Sequence, residues 1–435
     1  MQFTKSNQMR PRFNALIPGG AHTYAKGDDQ YPDGMAPYIV RGKGSHVWDV
    51  DGNEFIEYGA GLRAVSLGHA FEPVLSRVRA QLELGSNFVR PATIELECAE
   101  KFLELVPGAD MVKFSKDGSD ATSAALKLAR AHTGRDMVAV CGNHPFFSVD
   151  DWFIGASGMP GGIPDVIRQL TQKFFYNDLN SLQELFNQYP NRIAAVILEA
   201  EKETPPAADF FAGIRDLCDR NGAVFILDEM ITGFRWHKNG AQAYYDIKPD
   251  LSAFGKSLGN GFSVSALAGK KELMKLGGQD HDQERVFLMS TTHGAETHSL
   301  AAAIATMEYF QANPVVETLW ERGKQLADSL RAAADSEGVS DFVPILGKPC
   351  CLAFGSRDEG GNPSQPFRTL LMQEIIQRGI LATSLVVNYS HSETDIQRTV
   401  EAFAEAFKVY RAALDEGVEK YLKGRSVKPA FRRFA

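Results

Sequence analysis

The chain has 435 residues, long enough for one large domain and a smaller one, each with its own core. Its 44% hydrophobic and 23% charged residues are ordinary for a soluble globular protein, and no apolar run approaches the roughly 18–20 residues that cross a bilayer. A formal charge of -8 argues against a nucleic-acid partner, which would select a basic face.

The opening MQFTKSNQMRPRFN has no apolar h-region, so a secretory signal is not expected. A short helix is expected around Arg10–Leu16, followed by the turn Pro18-Gly19-Gly20. A strand pair follows, His46–Asp49 and Glu54–Glu57, split by Val50-Asp51-Gly52-Asn53, whose glycine and asparagine tolerate positive φ. From about residue 70 to 310, amphipathic helices alternate with short apolar strands, among them Met137–Cys141, Ala194–Leu198 and Ala223–Leu227. That pattern marks a parallel sheet covered on both faces, hence an α/β fold. A long helix over Val315–Ser336 opens the last third. Strands near Val343–Leu346 and Cys351–Phe354 follow, then helices near Phe367–Arg378 and Thr394–Glu416. The expected domains are therefore a large one over 70–310 and a small α+β one made of 1–69 and 311–435. Cys98, Cys141, Cys218, Cys350 and Cys351 show no CxxC pair or zinc spacing, so no metal site is expected and the compartment reads as cytosolic. Cys350 and Cys351 read as apolar fillers of a strand rather than a vicinal disulfide.

Three segments carry chemistry. In Phe114-Ser115-Lys116-Asp117-Gly118-Ser119-Asp120-Ala121, a glycine and a hydroxyl residue open a helix. That presents free N–H groups and the positive dipole end to a phosphate, although Ser and Asp are also the usual N-caps. In Ala223–Met230, an apolar strand ends in Asp228-Glu229, at the strand end that faces the ligand crevice of a parallel sheet. An acid buried there needs a cation, either a structural salt bridge or a protonated ring nitrogen. In Phe254–Gly261, Lys256 stands in a glycine-rich uncharged setting. Shielding would lower its pKa and make the amine nucleophilic toward an aldehyde, whereas at the surface it would be a solvated charge. Roughly one helix-plus-strand unit separates Asp228 from Lys256, so both can reach one crevice. A phosphate cup, an acid for a ring nitrogen and an amine for an aldehyde make up a cofactor's complement.

These segments, with PGGAHTYAKG near residue 18, HVWDVDGNEFIEYGAG, LGHAF at 67–71, LDEMITGFR at 227–235, GKSLGNGFSVSALAGKKELM at 255–274 and STTHGAETHSLAAAIATMEYF at 290–310, resemble the class-III aminotransferases of pyridoxal-5′-phosphate (PLP) fold type I. Within that family the sequence looks like the glutamate-1-semialdehyde 2,1-aminomutase group, over nearly the whole chain. The resemblance implies that Gly118 and Ser119 bind the PLP phosphate and that Asp228 pairs with the pyridinium nitrogen. Met230 would lie under the ring, Phe146 would stack on it, and Glu199 would be a nearby hydrogen-bonding carboxylate. Lys256 would carry the cofactor as an aldimine and shuttle the proton. Thr291 would reach the phosphate of the neighbouring subunit's cofactor, which implies a homodimer. Departures cluster in the substrate pocket. Leu62 stands where the aminomutase has an aromatic residue, Phe146 replaces a tyrosine, Lys26 replaces an arginine, and the segment after Gly379 is shorter. Arg90 replaces a small neutral residue, and Arg63 replaces an uncharged one. The expected function is therefore transamination between a small amine donor and a carbonyl acceptor, with Arg63 or Arg90, or both, contacting an anionic group of the substrate. Intramolecular amino transfer of the aminomutase type is the alternative. Gly255-Lys256-Ser257-Leu258-Gly259 also spells the GxSxG of a serine hydrolase, which needs a strand before it and a helix after it.

Overall fold

The computed structural model describes residues 1–433. In chain order the strands are β1 (Ile39–Lys43), β2 (His46–Asp49), β3 (Glu54–Glu57), β4 (Met111–Ser115), β5 (Met137–Cys141), β6 (Thr171–Phe174), β7 (Ile193–Glu199), β8 (Val224–Asp228), β9 (Leu251–Phe254), β10 (Ser265–Gly269), β11 (Ile345–Leu346), β12 (Ala353–Phe354) and β13 (Ile380–Leu381). No helix among the described residues is long and apolar enough to cross a membrane.

Two compact units divide the chain. The larger, Glu72–Val316, is built on a seven-stranded sheet in the order β4-β10-β9-β8-β7-β5-β6. Strands β5 to β9 pair in parallel, and β10 runs antiparallel to both β9 and β4. Every residue of β5, β7, β8, β9 and β10 is buried, which explains why β5, β7 and β8 read as apolar runs, up to the terminal acids of β7 and β8, instead of alternating. Fully burying each Val, Ile, Leu or Phe of such strands contributes roughly 1.5–3 kcal/mol, so the sheet dominates the unit's stability. The helix Gly118–Thr133 presents its small apolar residues Ala121, Ala124, Ala125 and Ala129 inward, and it stops at Gly134, whose φ of 65° suits a residue without Cβ. Phe102 meets both Phe234 and Phe254 edge-on, its centroid 5.2 Å from that of Phe254.

The smaller unit joins Met1–Phe71 to Glu317–Arg432. The β2–β3 hairpin pairs in the register expected of its turn, with β1 added antiparallel on one side and β13 parallel on the other. The first helix runs Thr4–Leu16, starting well before the Arg10 expected and carrying Pro11 inside it. The helix Glu393–Glu416 begins in a capping box between Ser392 and Asp395. Asp395 also reaches His46: the imidazole is held between Glu54 Oε1 at 2.8 Å and Asp395 Oδ1 at 2.9 Å. Cys350 and Cys351 correct the strand expectation, for they lie in a 3₁₀ turn, Pro349–Cys351, because Pro349 favours a turn start; neither forms a disulfide. Residues Ala60, Gly61, Leu62 and Arg63 all have positive φ, between 46° and 71°, forming one left-handed turn. Glu57 supports it by accepting the Ala60 N–H at 2.9 Å.

Candidate active site

The carboxyl ends of β4, β7, β8 and β9 deliver the functional residues of the larger unit. After β4 the chain turns sharply into the helix Gly118–Thr133. The turn is fixed by its own side chains: Asp117 Oδ1 caps the Asp120 N–H at 3.1 Å, and Asp120 Oδ2 accepts the Lys116 N–H at 3.2 Å. Ser265 at the start of β10 and Ser263 just before it clamp the turn from the side, Ser265 Oγ donating to Asp117 O at 2.5 Å and Ser263 Oγ to Lys116 O at 2.8 Å. The result combines an immobile helix start with a hydroxyl. Ser119 Oγ accepts the Val149 N–H at 3.0 Å, so its own proton remains for an anion at the helix terminus.

Two carboxylates stand side by side at the sheet edge. Glu199 and Asp228 are direct register partners of β7 and β8, and both are buried. Asp228 Oδ1 accepts the Met230 N–H at 2.8 Å, while Glu199 Oε2 has no hydrogen-bond partner among the described residues. Burial, reinforced by the Glu199 charge, pushes the Asp228 carboxyl well above its usual range, and Lys256 pulls it back. Adjacent buried carboxylates with an orphan oxygen are costly unless a cation joins them. Glu229, the other acid of the pair read in the sequence, points away from this edge. It is consumed by Thr232 Oγ1, the Ala241 N–H at 3.0 Å and the Gln242 N–H at 2.8 Å. It is a structural cap, which alternation along an extended strand explains.

Met230 lies between two glycines. A Cβ at Gly118 would stand 2.8 Å from its sulfur and one at Gly255 2.7 Å from it, so the two glycines exist to let the thioether fill that gap. Lys256 follows β9 with φ of 45°, a left-handed conformation that a side chain adopts only at a cost. The segment after it, Lys256–Gly259, is a single 3₁₀ turn, and Ser257 is fully buried, its hydroxyl accepting from Arg235 Nη2 at 3.1 Å. No regular helix follows the serine, so the GxSxG spelling does not make a nucleophile elbow.

The remaining expected residues distribute as follows. Phe146 is 40% exposed and meets Phe153 edge-on; its segment is tied to the phosphate-type turn by Thr122 Oγ1 donating to Phe147 O at 2.7 Å. Thr291 lies in a loop whose Gly294 comes close to it: a Cβ at Gly294 would stand 2.8 Å from Thr291 Oγ1 and 3.7 Å from Phe114 O at the end of β4. Arg90 is exposed in a loop joined to the Thr291 loop by Asn87 Nδ2 donating to Thr292 O at 3.1 Å. Arg63 belongs to the smaller unit, in the left-handed turn. His144 and Arg235 escaped the sequence reading. His144 is buried, and its imidazole is pushed down to about 4 by burial, so it is neutral at pH 7. Its Nδ1 accepts the Glu199 N–H at 3.1 Å, which puts the ring proton on Nε2. Arg235 is fully buried. A lone histidine after β5 and an arginine within a short loop carry no periodic signal, so only the fold could reveal them.

The arrangement offers an anion site at a helix start, a cation site between two carboxylates, and a lysine amine close to Asp228. The family model described as Aminotransferase class-III matches residues 29–407. The glutamate-1-semialdehyde 2,1-aminomutase of Desulforamulus reducens is 34% identical, covering 95% of this chain and 99% of that protein. That of Syntrophobacter fumaroxidans is 31% identical over 93% and 97%. Among solved structures, the FumI protein of Sphingopyxis sp. MTA144 in its PLP internal aldimine form is 26% identical, with a TM-score of 0.86 over 95% of this chain and 98% of that one. The fold is thus that of the PLP-dependent transaminases, and the chain belongs to the class-III aminotransferases.

Proposed function

We propose that the chain is an aminotransferase that uses PLP to move an amino group between a small amine or amino acid and a carbonyl compound. The observation that carries this reading is the buried Glu199–Asp228 pair beside Lys256, with Glu199 Oε2 left unpartnered among the described residues. A pyridinium N–H is the kind of cation those carboxylates need, and a phosphate suits the Gly118–Ser119 turn. When bound, PLP withdraws electrons from the carbon that bears the amino group, so that carbon's proton becomes removable. Asp228 holds the ring-nitrogen proton, and its negative charge is fixed by that contact. Lys256 would hold the cofactor's aldehyde through its amine, and the same amine, close to Asp228, would accept and return the substrate's proton. Met230 and Phe146 would provide the apolar contacts that hold the ring. Ser119 Oγ and the first N–H groups of the helix Gly118–Thr133 take the phosphate. Neutral His144 holds the backbone of Glu199 in place.

Thr291 serves the phosphate of the neighbouring subunit, which makes the homodimer the working unit. In support, Leu82, Leu84, Phe88, Val89 and Phe287 are exposed apolar side chains of the larger unit, Val89 almost completely so. Arg63 or Arg90, or both, contact an anionic group of the substrate through a planar donor fork. The free cysteines suit a reducing, cytosolic compartment.

The relatives named as aminomutases favour a second reading, intramolecular amino transfer. One experiment separates the two. Given a donor alone, a transaminase releases carbonyl product equal to its cofactor content and stops. An aminomutase keeps turning over and accumulates an isomeric amine with no carbonyl product. A chain that takes up no PLP at all overturns both.

A further inference from the structure

The larger unit contains an ion pair that neither the motifs nor the proposed chemistry uses. Lys116, the residue before the Asp117 cap, places Nζ 2.7 Å from Glu296 Oε2 and 3.2 Å from Ser299 Oγ. Glu296 is the N-cap residue of the helix Thr297–Ala312, and it closes the loop that carries Thr291. Its other oxygen, Oε1, meets His293 Nδ1 at 3.0 Å. His298 stands 3.8 Å from Oε2 and is held by Ser86 Oγ at 2.8 Å. Each partner of the Lys116–Glu296 pair is only 21% exposed, unlike the many i,i+4 pairs on the surface helices. A half-buried pair with an added hydroxyl contact is screened less than a solvated one and holds its geometry. It also spans a long stretch of sequence, so it fixes tertiary rather than local structure.

We infer that Lys116 is a positioning residue whose ion pair with Glu296 ties the phosphate turn Lys116–Asp120 to the loop Thr291–Glu296 and so sets where the Thr291 hydroxyl stands. The inference rests on the proposed assignment of Ser119 and Thr291 to PLP phosphates. Both ends of the link are otherwise rigid. The Lys116 carbonyl is clamped by Ser263 and its N–H by Asp120, while Thr297 N and Oγ1 are fastened to Ser86 O at 2.9 Å and Gly85 O at 2.7 Å. Between these anchors, residues 291–296 have the ion pair as their connection to the turn, together with the close approach of Gly294 to Phe114 O. Without the lysine charge, Glu296 is drawn toward His293 and His298, and the loop swings with it. In a dimer this joins the phosphate turn of one site to the phosphate loop of the other.

The test measures PLP loss from the holoenzyme, followed by its visible absorbance during dialysis, for Lys116→Met, Glu296→Gln, the double variant and Lys116→Arg. Loss of a charge-assisted hydrogen bond should speed release about tenfold in each single variant. The double variant should be no faster than either single, and Lys116→Arg should stay near the parent. Melting of the cofactor-free forms should hardly change. Parent-like retention in both single variants overturns the inference, as do losses that multiply in the double variant, or a fall in melting temperature with retention intact. A parent that never binds PLP overturns the functional reading and this inference with it, whereas a parent that binds PLP while the variants match it overturns only the role of Lys116.

Discussion

Replacing Gly118 by alanine probes the cofactor cradle without touching a polar group. The added methyl would meet Met230 Sδ at 2.8 Å and Cγ at 3.2 Å, where unstrained apolar contacts lie at about 3.5–4.0 Å. The thioether must therefore retreat by about 1 Å, and the space toward Gly255 is narrow, since a Cβ built there would also stand only 2.7 Å from the sulfur. A retreat of the thioether would disturb the ring that Met230 is proposed to support. Overpacking of this kind costs about 1–3 kcal/mol, which corresponds to a roughly five- to hundredfold weaker hold on PLP. The fold itself should not suffer, because alanine in the first turn of a helix is better than glycine by up to about 1 kcal/mol. Titrating cofactor-free protein with PLP, by absorbance, measures the first effect, and thermal melting of the same protein measures the second. Gly118→Ala with parent-like affinity refutes the reasoning. So does a Gly118→Ala/Met230→Ala double variant that binds as weakly as the single, since removing the thioether should restore the space.

Other outcomes are equally concrete. Lys256→Ala should abolish turnover while leaving the protein folded, and borohydride reduction of the parent should fix the label on Lys256 alone; a label on another lysine rejects the assignment. Asp228→Asn should reduce turnover by at least about a hundredfold while PLP binding falls far less, because the amide cannot keep the ring nitrogen charged though the phosphate turn still grips; a near-normal rate would make Asp228 merely structural. Arg90→Ala and Arg63→Ala should raise KM for an acidic donor and leave a neutral amine unaffected, and identical behaviour toward both donors would put these arginines outside the pocket. His46, hydrogen-bonded to Asp395 and Glu54, has its pKa raised mainly by Asp395, so its contribution to stability is fully present below its unfolded pKa and is lost as pH rises through the folded value. The melting difference between parent and His46→Gln should therefore be larger at pH 6 than at pH 9; a difference that grows with pH contradicts the sign.

Much of the architecture was legible because parallel strands buried on both faces write themselves as unbroken apolar runs. The runs at 137–141, 194–198 and 223–227 each became a strand of the large sheet, shifted by a residue at most. Its other members were silent for a physical reason. β4 alternates exposed Met and Lys with half-buried positions, and β9 and β10 are short and rich in Ser, Ala and Gly, residues of weak strand propensity. The residues proposed to hold the cofactor stand out as motifs, since a capped turn, a strand-end acid and an isolated lysine are local patterns. Glu199 as the direct neighbour of Asp228 does not, because register is a property of the sheet. Neither does the left-handed turn Ala60–Arg63, where Leu62 and Arg63 adopt a conformation that their side chains disfavour.

The positive φ of Lys256 has a consequence for how this enzyme would respond to selection. A residue without Cβ adopts that backbone without steric strain, so Lys256→Gly should melt higher than Lys256→Ala, although both should lack turnover. Heat resistance and chemistry therefore pull position 256 in opposite directions. A library screened for thermal survival alone would enrich glycine there and discard the amine, and only a screen that also demands turnover would keep the strained lysine.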